Sequence, residues 1–236
     1  MLKNSRILCI VAHPDDEILG LGASLHRLIH EAGCNARAVI LGEGVTSRDG
    51  KRDVNLRSSE IDRLRLNIED ARKIIGYESV GIYDFPDNRF DSVNMLDIIK
   101  VVEKEKRDFS PQYIFTHHGG DLNVDHQRTF EAVITATRPM EAESVEGIFC
   151  FETPSSTEWS ASSDPFVFRP NFFQEVKSLD IKKKIEAMEG YENEKRTYPH
   201  PRSPEALKLL AQRYGVILGV KYAEAFQIIR MINRVQ

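Results

Sequence analysis

Ile7–Ile29 reads ILCIVAHPDDEILGLGASLHRLI. The run from Arg6 to Ala12 is apolar and rich in β-branched residues, as in a strand buried on both faces. Apolar residues then recur at Ile18, Leu21, Leu25, Leu28, Ile29 and Ala32. That spacing predicts a helix over Asp16–Glu31, which Gly33 ends. Between the two stand His13, Pro14, Asp15, Asp16 and Glu17. Charges cost on the order of several kcal/mol each to desolvate without partners, so these groups face open solvent or meet something positive. Helix capping accounts for part of the pattern, because proline suits a first turn and acids suit the positive end of the helix dipole. Capping needs one acid and no histidine.

The alternation continues outward. Ala36–Leu41, Val80–Phe85, Gln112–Thr116 and Val145–Phe151 read as strands, and Ser58–Ile75, Val93–Lys106 and Asp125–Thr137 as helices. Strands alternating with helices predict a mostly parallel sheet covered on both faces, a Rossmann-like α/β fold. After Phe151 the pattern changes. A Ser- and Pro-rich loop leads to helical stretches at Phe173–Tyr191 and Pro204–Tyr214, and YAEAFQIIRMI (Tyr222–Ile232) reads as a last strand. No polar linker stands out, so the expectation is one domain over 1–236, with a core at 6–152 and residues 153–236 completing the cleft. GLG at Gly20–Gly22 falls inside the first helix, where close packing on the sheet explains it better than a dinucleotide loop.

Composition narrows the classes. The net charge is −4 and no basic stripe is interleaved with aromatics, which argues against nucleic acid. No apolar run reaches the ~18 residues of a membrane span. The N-terminal segment lacks the small-residue cleavage site of a signal peptide. Cys9, Cys34 and Cys150 are far apart and form no CxxC pair, which fits a reducing, cytoplasmic setting.

A second cluster mirrors the first. FTHHGGDLNVDHQRT (Phe115–Thr129) runs from a strand into His117, His118 and Asp121, and then Asp125 and His126 open a helix. In open α/β sheets ligands bind at the carboxyl ends of strands, so the two clusters can meet. One histidine and one carboxylate from the first, with one histidine from the second, would give a three-ligand zinc site with room for water. A carboxylate beside it, not bound to metal, could serve as general base.

AHPDDE (Ala12–Glu17) after a buried strand, with a later DH (Asp125–His126) opening a helix, resembles the PIG-L (LmbE-like) zinc-dependent N-deacetylases. EDARKIIG (Glu69–Gly76) and YDFPDNRFD (Tyr83–Asp91) extend the resemblance, which covers Arg6–Thr137 well. It implies one Zn2+ per chain bound by His13, Asp16 and His126, Asp15 as general base, and removal of acetyl from an N-acetylglucosamine-type substrate. Relatives often assemble, so a homo-oligomer is expected. Many members carry a histidine three residues before the last ligand, where it is thought to stabilise the oxyanion; here Asn123 stands there. An asparagine amide can donate to an oxyanion but cannot act as a general acid, so His117 or His118 is the candidate to reach in instead.

Weaker signals surround these. Arg48, Lys51, Arg52 and Arg57 make a basic loop in which an arginine, with Arg57 the candidate, could hold a phosphate-bearing substrate. Trp159 in SSTEW could lie against a sugar face, and Arg202, with His200 in YPHPRSP (Tyr198–Pro204), could line the cleft. Glu17 is expected to support a ligand from behind. His26 and His30 have i, i+4 spacing but lack the glutamate of a metalloprotease helix, and are read as solvated or capping. Two rivals remain: a two-metal phosphoesterase drawing on Asp121 and Asp125, and a sugar- or nucleotide-binding module whose catalysis is lost at Asn123.

Overall fold

A computed structural model describes residues 2–48, 50, 52–140, 143–161 and 166–233, with the side chain of Arg48 left aside. Lys51 of the basic loop therefore lies outside the described residues. Strand β1 (Arg6–Val11) is buried from Ile7 to Val11. Around it lie β2 (Asn35–Gly42), β3 (Ser79–Phe85), β4 (Tyr113–His117), β5 (Gly147–Phe151), β6 (Phe172–Glu175) and β7 (Ala223–Met231). They form one seven-stranded sheet in the order β3-β2-β1-β4-β5-β7-β6. β1 to β5 are parallel, while β7 runs antiparallel to both β5 and β6.

Among the described residues six helices cover the sheet: α1 (Asp16–Ala32), α2 (Ser58–Ile75), α3 (Met95–Phe109), α4 (Val124–Ala136), α5 (Ser178–Gly190) and α6 (Pro204–Leu218). The strand period of two sorts β1 between two cores. Ile7, Cys9 and Val11 pack with α1, α2 and α5, and Leu8, Ile10 and Ala12 pack with α3 and α4. The expected α/β architecture is thus present, and no described helix is long and apolar enough to cross a membrane. Strand order reverses between β1 and β4, which opens a crevice at their carboxyl ends. That is where both histidine–aspartate clusters emerge.

Two expectations need correction. The helical stretch expected from Phe173 begins only at Ser178, after β6. Phe172 and Phe173 pair with Phe226 and Ala225 in an antiparallel ladder, and Phe172 packs on Phe149 at 5.0 Å. A four-residue strand with only two apolar residues, Phe172 and Phe173, cannot be told from a helix start by period alone. His26 is not solvated: it is buried, and its Nδ1 lies 2.6 Å from Asp180 Oδ1.

The first helix is kinked at Leu21 (φ −146°). Gly20 lies so close to Phe151 that an added Cβ would sit 2.2 Å from the ring, as the close-packing reading of GLG requires. The kink disturbs the helical ladder, and a buried ion pair caps two of its groups. Lys184 Nζ donates to Leu19 O (2.7 Å) and to Glu224 Oε1 (2.5 Å), while Ser24 N–H donates to Glu224 Oε2 (2.7 Å).

Candidate metal centre and active-site cleft

The chain leaves β1 through His13 and Pro14 into Asp15, whose backbone is left-handed (φ 94°). A non-glycine residue there is strained and must be held. Asp15 N–H donates to Glu17 Oε2 (3.1 Å), and Glu17 Oε1 accepts from the hydroxyls of Tyr191 (2.8 Å) and Tyr77 (3.4 Å). Burial pushes the Glu17 carboxyl up to about 7. Asp15 and Asp16 reach different cations from this turn.

Asp16 Oδ2 is the hub of the site. It accepts His13 N–H at 2.9 Å, and lies 3.4 Å from His13 Nδ1, 3.3 Å from His126 Nε2 and 3.4 Å from His117 Nε2. Burial alone would raise Asp16, yet the His126 imidazole beside it holds it well below the usual carboxylate range. The outer nitrogens of two rings meet other acids. His13 Nε2 is 3.0 Å from Asp125 Oδ2 and 3.3 Å from Asp87 Oδ1. His126 Nδ1 approaches Asp121 Oδ1 at 3.1 Å, off ideal hydrogen-bond geometry. Burial would lower His126, but Asp16 and Asp121 carry it to about 9.

These acids are themselves fixed. Asp125 Oδ1 accepts from Phe90 N–H (2.8 Å). Asp121 accepts from Asn123 N–H (2.8 Å), Thr157 Oγ1 (2.5 Å) and Ser156 Oγ. The two rings therefore turn their inner nitrogens toward Asp16. His13, Asp16 and His126 offer ligand atoms all within 4.8 Å of one another. Two ligands ~2.1 Å from one tetrahedral ion stand about 3.4 Å apart, which matches the 3.3 and 3.4 Å separations from Asp16 Oδ2. The donor set, two imidazoles that would release their protons on binding and one carboxylate backed by further acids, fits a divalent cation.

His117 is placed differently. Its Nε2 accepts from Ala12 N–H (2.9 Å), so its Nδ1 carries the proton and faces Thr153 Oγ1 (3.1 Å). The ring stacks on His126 at 3.8 Å, and burial drives it down to about 4. It is a neutral, fully buried prop beneath the site. His118 accepts from Gly120 N–H (3.1 Å) and shapes the loop. Asn123 caps α4: its Oδ1 accepts from Asp125 N–H (2.8 Å) and its Nδ2 donates to Asn88 Oδ1 (2.9 Å).

A cleft of about 280 Å³ opens over the hub, lined by His13, Asp15, Asp16, Asn123, His126 and Arg202 among others. Burial raises Asp15 well above its ordinary value, and Arg202 only partly offsets this. Trp159 and Arg57 do not line this cleft. Trp159 is 54% exposed and meets His200 edge-on, and Arg57 pairs with Glu60 at the start of α2. A second cavity of about 530 Å³ adjoins the cleft and shares Glu194, Arg196 and Arg202 with it.

The sequence profile of PIG-L, described as GlcNAc-PI de-N-acetylase, matches residues 8–137. The chain belongs to the PIG-L family. It is 30% identical over 197 residues to the uncharacterized deacetylase YaiS of Escherichia coli, covering 81% of this chain and 92% of that one. It is 24% identical over 235 residues to the diacetylchitobiose deacetylase of Thermococcus kodakarensis, covering 95% and 83%. Among solved structures, the 4-carboxy-2-hydroxymuconate hydratase GalB of Pseudomonas putida superposes with a TM-score of 0.73 at 20% identity, over 98% of each chain. That likeness carries the fold alone. Since a hydratase shares the PIG-L fold, the reaction must be argued from the site.

Several groups at this PIG-L site escaped the sequence reading in these positions. Asp121 and Asp125 were expected, if anything, as ligands of a second ion; each instead faces a histidine's outer nitrogen. Asp87 stood in the YDFPDNRFD match without a role, and Glu194 gave no signal beyond being an acid near a loop. Residues His13, Asp87 and Asp125 also form a close group, but a second ion there would take the His13 Nε2 that faces Asp125.

Proposed function

We propose that this PIG-L chain is a metal-dependent deacetylase that hydrolyses the acetamide of an N-acetylated sugar to a free amine and acetate. The observation that carries the reading is the convergence of His13 Nδ1, Asp16 Oδ2 and His126 Nε2 with both outer ring nitrogens turned to Asp125 and Asp121. Such carboxylate–histidine pairs fix ring orientation and raise ligand basicity. The small N/O donor set favours Zn2+, one per chain. When bound, such an ion polarises a carbonyl and acidifies water.

The chain's own residues do the rest. Asp15, facing the cleft without bonding the imidazoles, takes a proton from the attacking water and delivers it to the departing amine. Asn123 has its oxygen committed to the cap and one amide N–H on Asn88 Oδ1, which leaves its second N–H as the donor to the developing oxyanion. His117 and Glu17 hold His126 and Asp15 in place from behind. Residues 153–236 act with the core as one unit, since Arg202 and Ser155 reach the cleft from that segment. The cleft takes the acetamido sugar, and the adjoining cavity takes the group attached to it. The name of the T. kodakarensis relative supports a sugar substrate. Three unpaired buried cysteines suit a reducing compartment.

The test is acetate release from zinc-loaded protein over a panel of N-acetyl sugars, nucleotide sugars and sugar conjugates, with elemental analysis alongside. One ion per chain and release from at least one sugar are expected. Two ions per chain with phosphoester cleavage and no acetate would overturn the reading.

A further inference from the structure

Two aspartates stand side by side at the head of α1, and the proposed function gives them different tasks. Nothing in their covalent chemistry makes Asp16 a ligand and Asp15 a base. The difference lies in which cation each one meets. Asp16 is surrounded by imidazoles, whereas Asp15 Oδ2 accepts from Arg202 Nη1 at 2.9 Å.

Arg202 is well placed to hold it. It comes from the segment between α5 and α6, and its side chain is only 19% exposed. The same Nη1 donates to Glu194 Oε2 at 3.0 Å, and Nε donates to Ser155 Oγ at 2.7 Å. Three separate loops thus fix one guanidinium. The planar fork suits that task better than a lysine ammonium would. Asp15 has two free side-chain torsions, and the imidazoles that draw Asp16 lie within the same cleft. Without a competing cation its carboxylate would be drawn toward them and toward any bound ion.

We propose that Arg202 is a positioning residue that holds Asp15 Oδ2, keeps this carboxylate off the metal ligands and leaves Oδ1 free to take the proton of the attacking water. This rests on the deacetylase reading of Asp15 as base. Arg202 thereby divides the work of the paired acids. It acts through Asp15 and need not touch the acetyl group.

The experiment compares R202A, R202K, D15N and the double variant R202A/D15N, each zinc-loaded, on whichever acetylated sugar the wild type cleaves. Misplacing a reacting group by about 1 Å can cost ~10²-fold in rate, so R202A should lose about that in kcat with KM and zinc content little changed. In the D15N background the same change should cost almost nothing further, and added guanidinium should restore part of the R202A rate. R202K keeps the charge without the fork, and serves if R202A fails to fold. A rise in KM at unchanged kcat, or a full R202A penalty on top of D15N, would overturn the inference. A crystal structure of zinc-loaded R202A protein reads it without turnover. Asp15 swung toward the imidazoles or the ion supports it, and Asp15 unmoved overturns it, even if no sugar is ever deacetylated. Absence of acetate release from the wild type would count against the proposed function instead.

Discussion

Lys184→Met should destabilise the chain more than any conservative surface change. Lys184 and Glu224 have side chains 6% and 7% exposed, and the lysine serves both the Glu224 carboxylate and the Leu19 carbonyl at the α1 kink. Removing one partner of a buried pair strands the other charge and costs roughly 3–5 kcal/mol. For chains of this size about 1 kcal/mol moves Tm by roughly 2–4 °C, so the single variant should melt roughly 6–20 °C lower. Adding Glu224→Gln removes the stranded charge, while the glutamine oxygen still accepts from Ser24 N–H. The double variant should therefore recover most of the loss, because neutral replacement of a buried pair is often nearly neutral overall. Thermal unfolding followed by circular dichroism, with calorimetry for the enthalpy, checks this. A single-variant loss below ~1 kcal/mol, or a double variant as unstable as the single, would refute the assignment of this pair as the kink's cap.

Asp15→Asn should keep one zinc per chain and lose about 10²–10⁴ in kcat, the usual worth of a general base; a near-native rate removes Asp15 from that role. Asn123→Ala should lower kcat by ~10² through the lost oxyanion donor and stability by ~1 kcal/mol through the lost cap, so kinetics and melting separate its two duties. Gly20→Ala places a Cβ 2.2 Å from the Phe151 ring and should cost about 1–3 kcal/mol of overpacking, read in the same melting assay.

The parts of the fold that were legible are those where sequence neighbours share an environment. β1 reads as a strand because its residues from Ile7 to Val11 are all buried, and α1 because its stripe faces one core. β6 was not legible, since Phe172 and Phe173 earn their strand from β7, more than fifty residues later. The site divides the same way. His13, Asp16 and His126 announce themselves as chemical types at strand ends. Their partners do not: the bond between His13 and Asp125 spans 112 residues, and that between Arg202 and Asp15 spans 187. His117, at the end of the neighbouring strand β4, looked chemically active by type. The Ala12 N–H that occupies its acceptor nitrogen is a backbone contact that no spacing encodes. Even the adjacency of Asp125 and His126 misleads, because at a helix start neighbouring side chains diverge, and Asp125 serves His13 instead.

That crossed pairing gives the sharpest test between one ion and two. Asp125 has one oxygen on Phe90 N–H and the other on His13 Nε2, so it already has two partners without any ion. If it orients His13, Asp125→Asn keeps the ring in place with a weaker, neutral acceptor. Loss of such an outer partner typically lowers metal affinity 10–100-fold, and saturating zinc should then restore most of the turnover. If Asp125 were a ligand of a second ion with Asp87, the same variant would lower the stoichiometry from two to one, and no zinc concentration would restore the rate. Competition with a chelator of known affinity measures the first quantity, and elemental analysis the second. A stoichiometry unchanged at one, with affinity down and turnover recoverable, is the result the geometry requires.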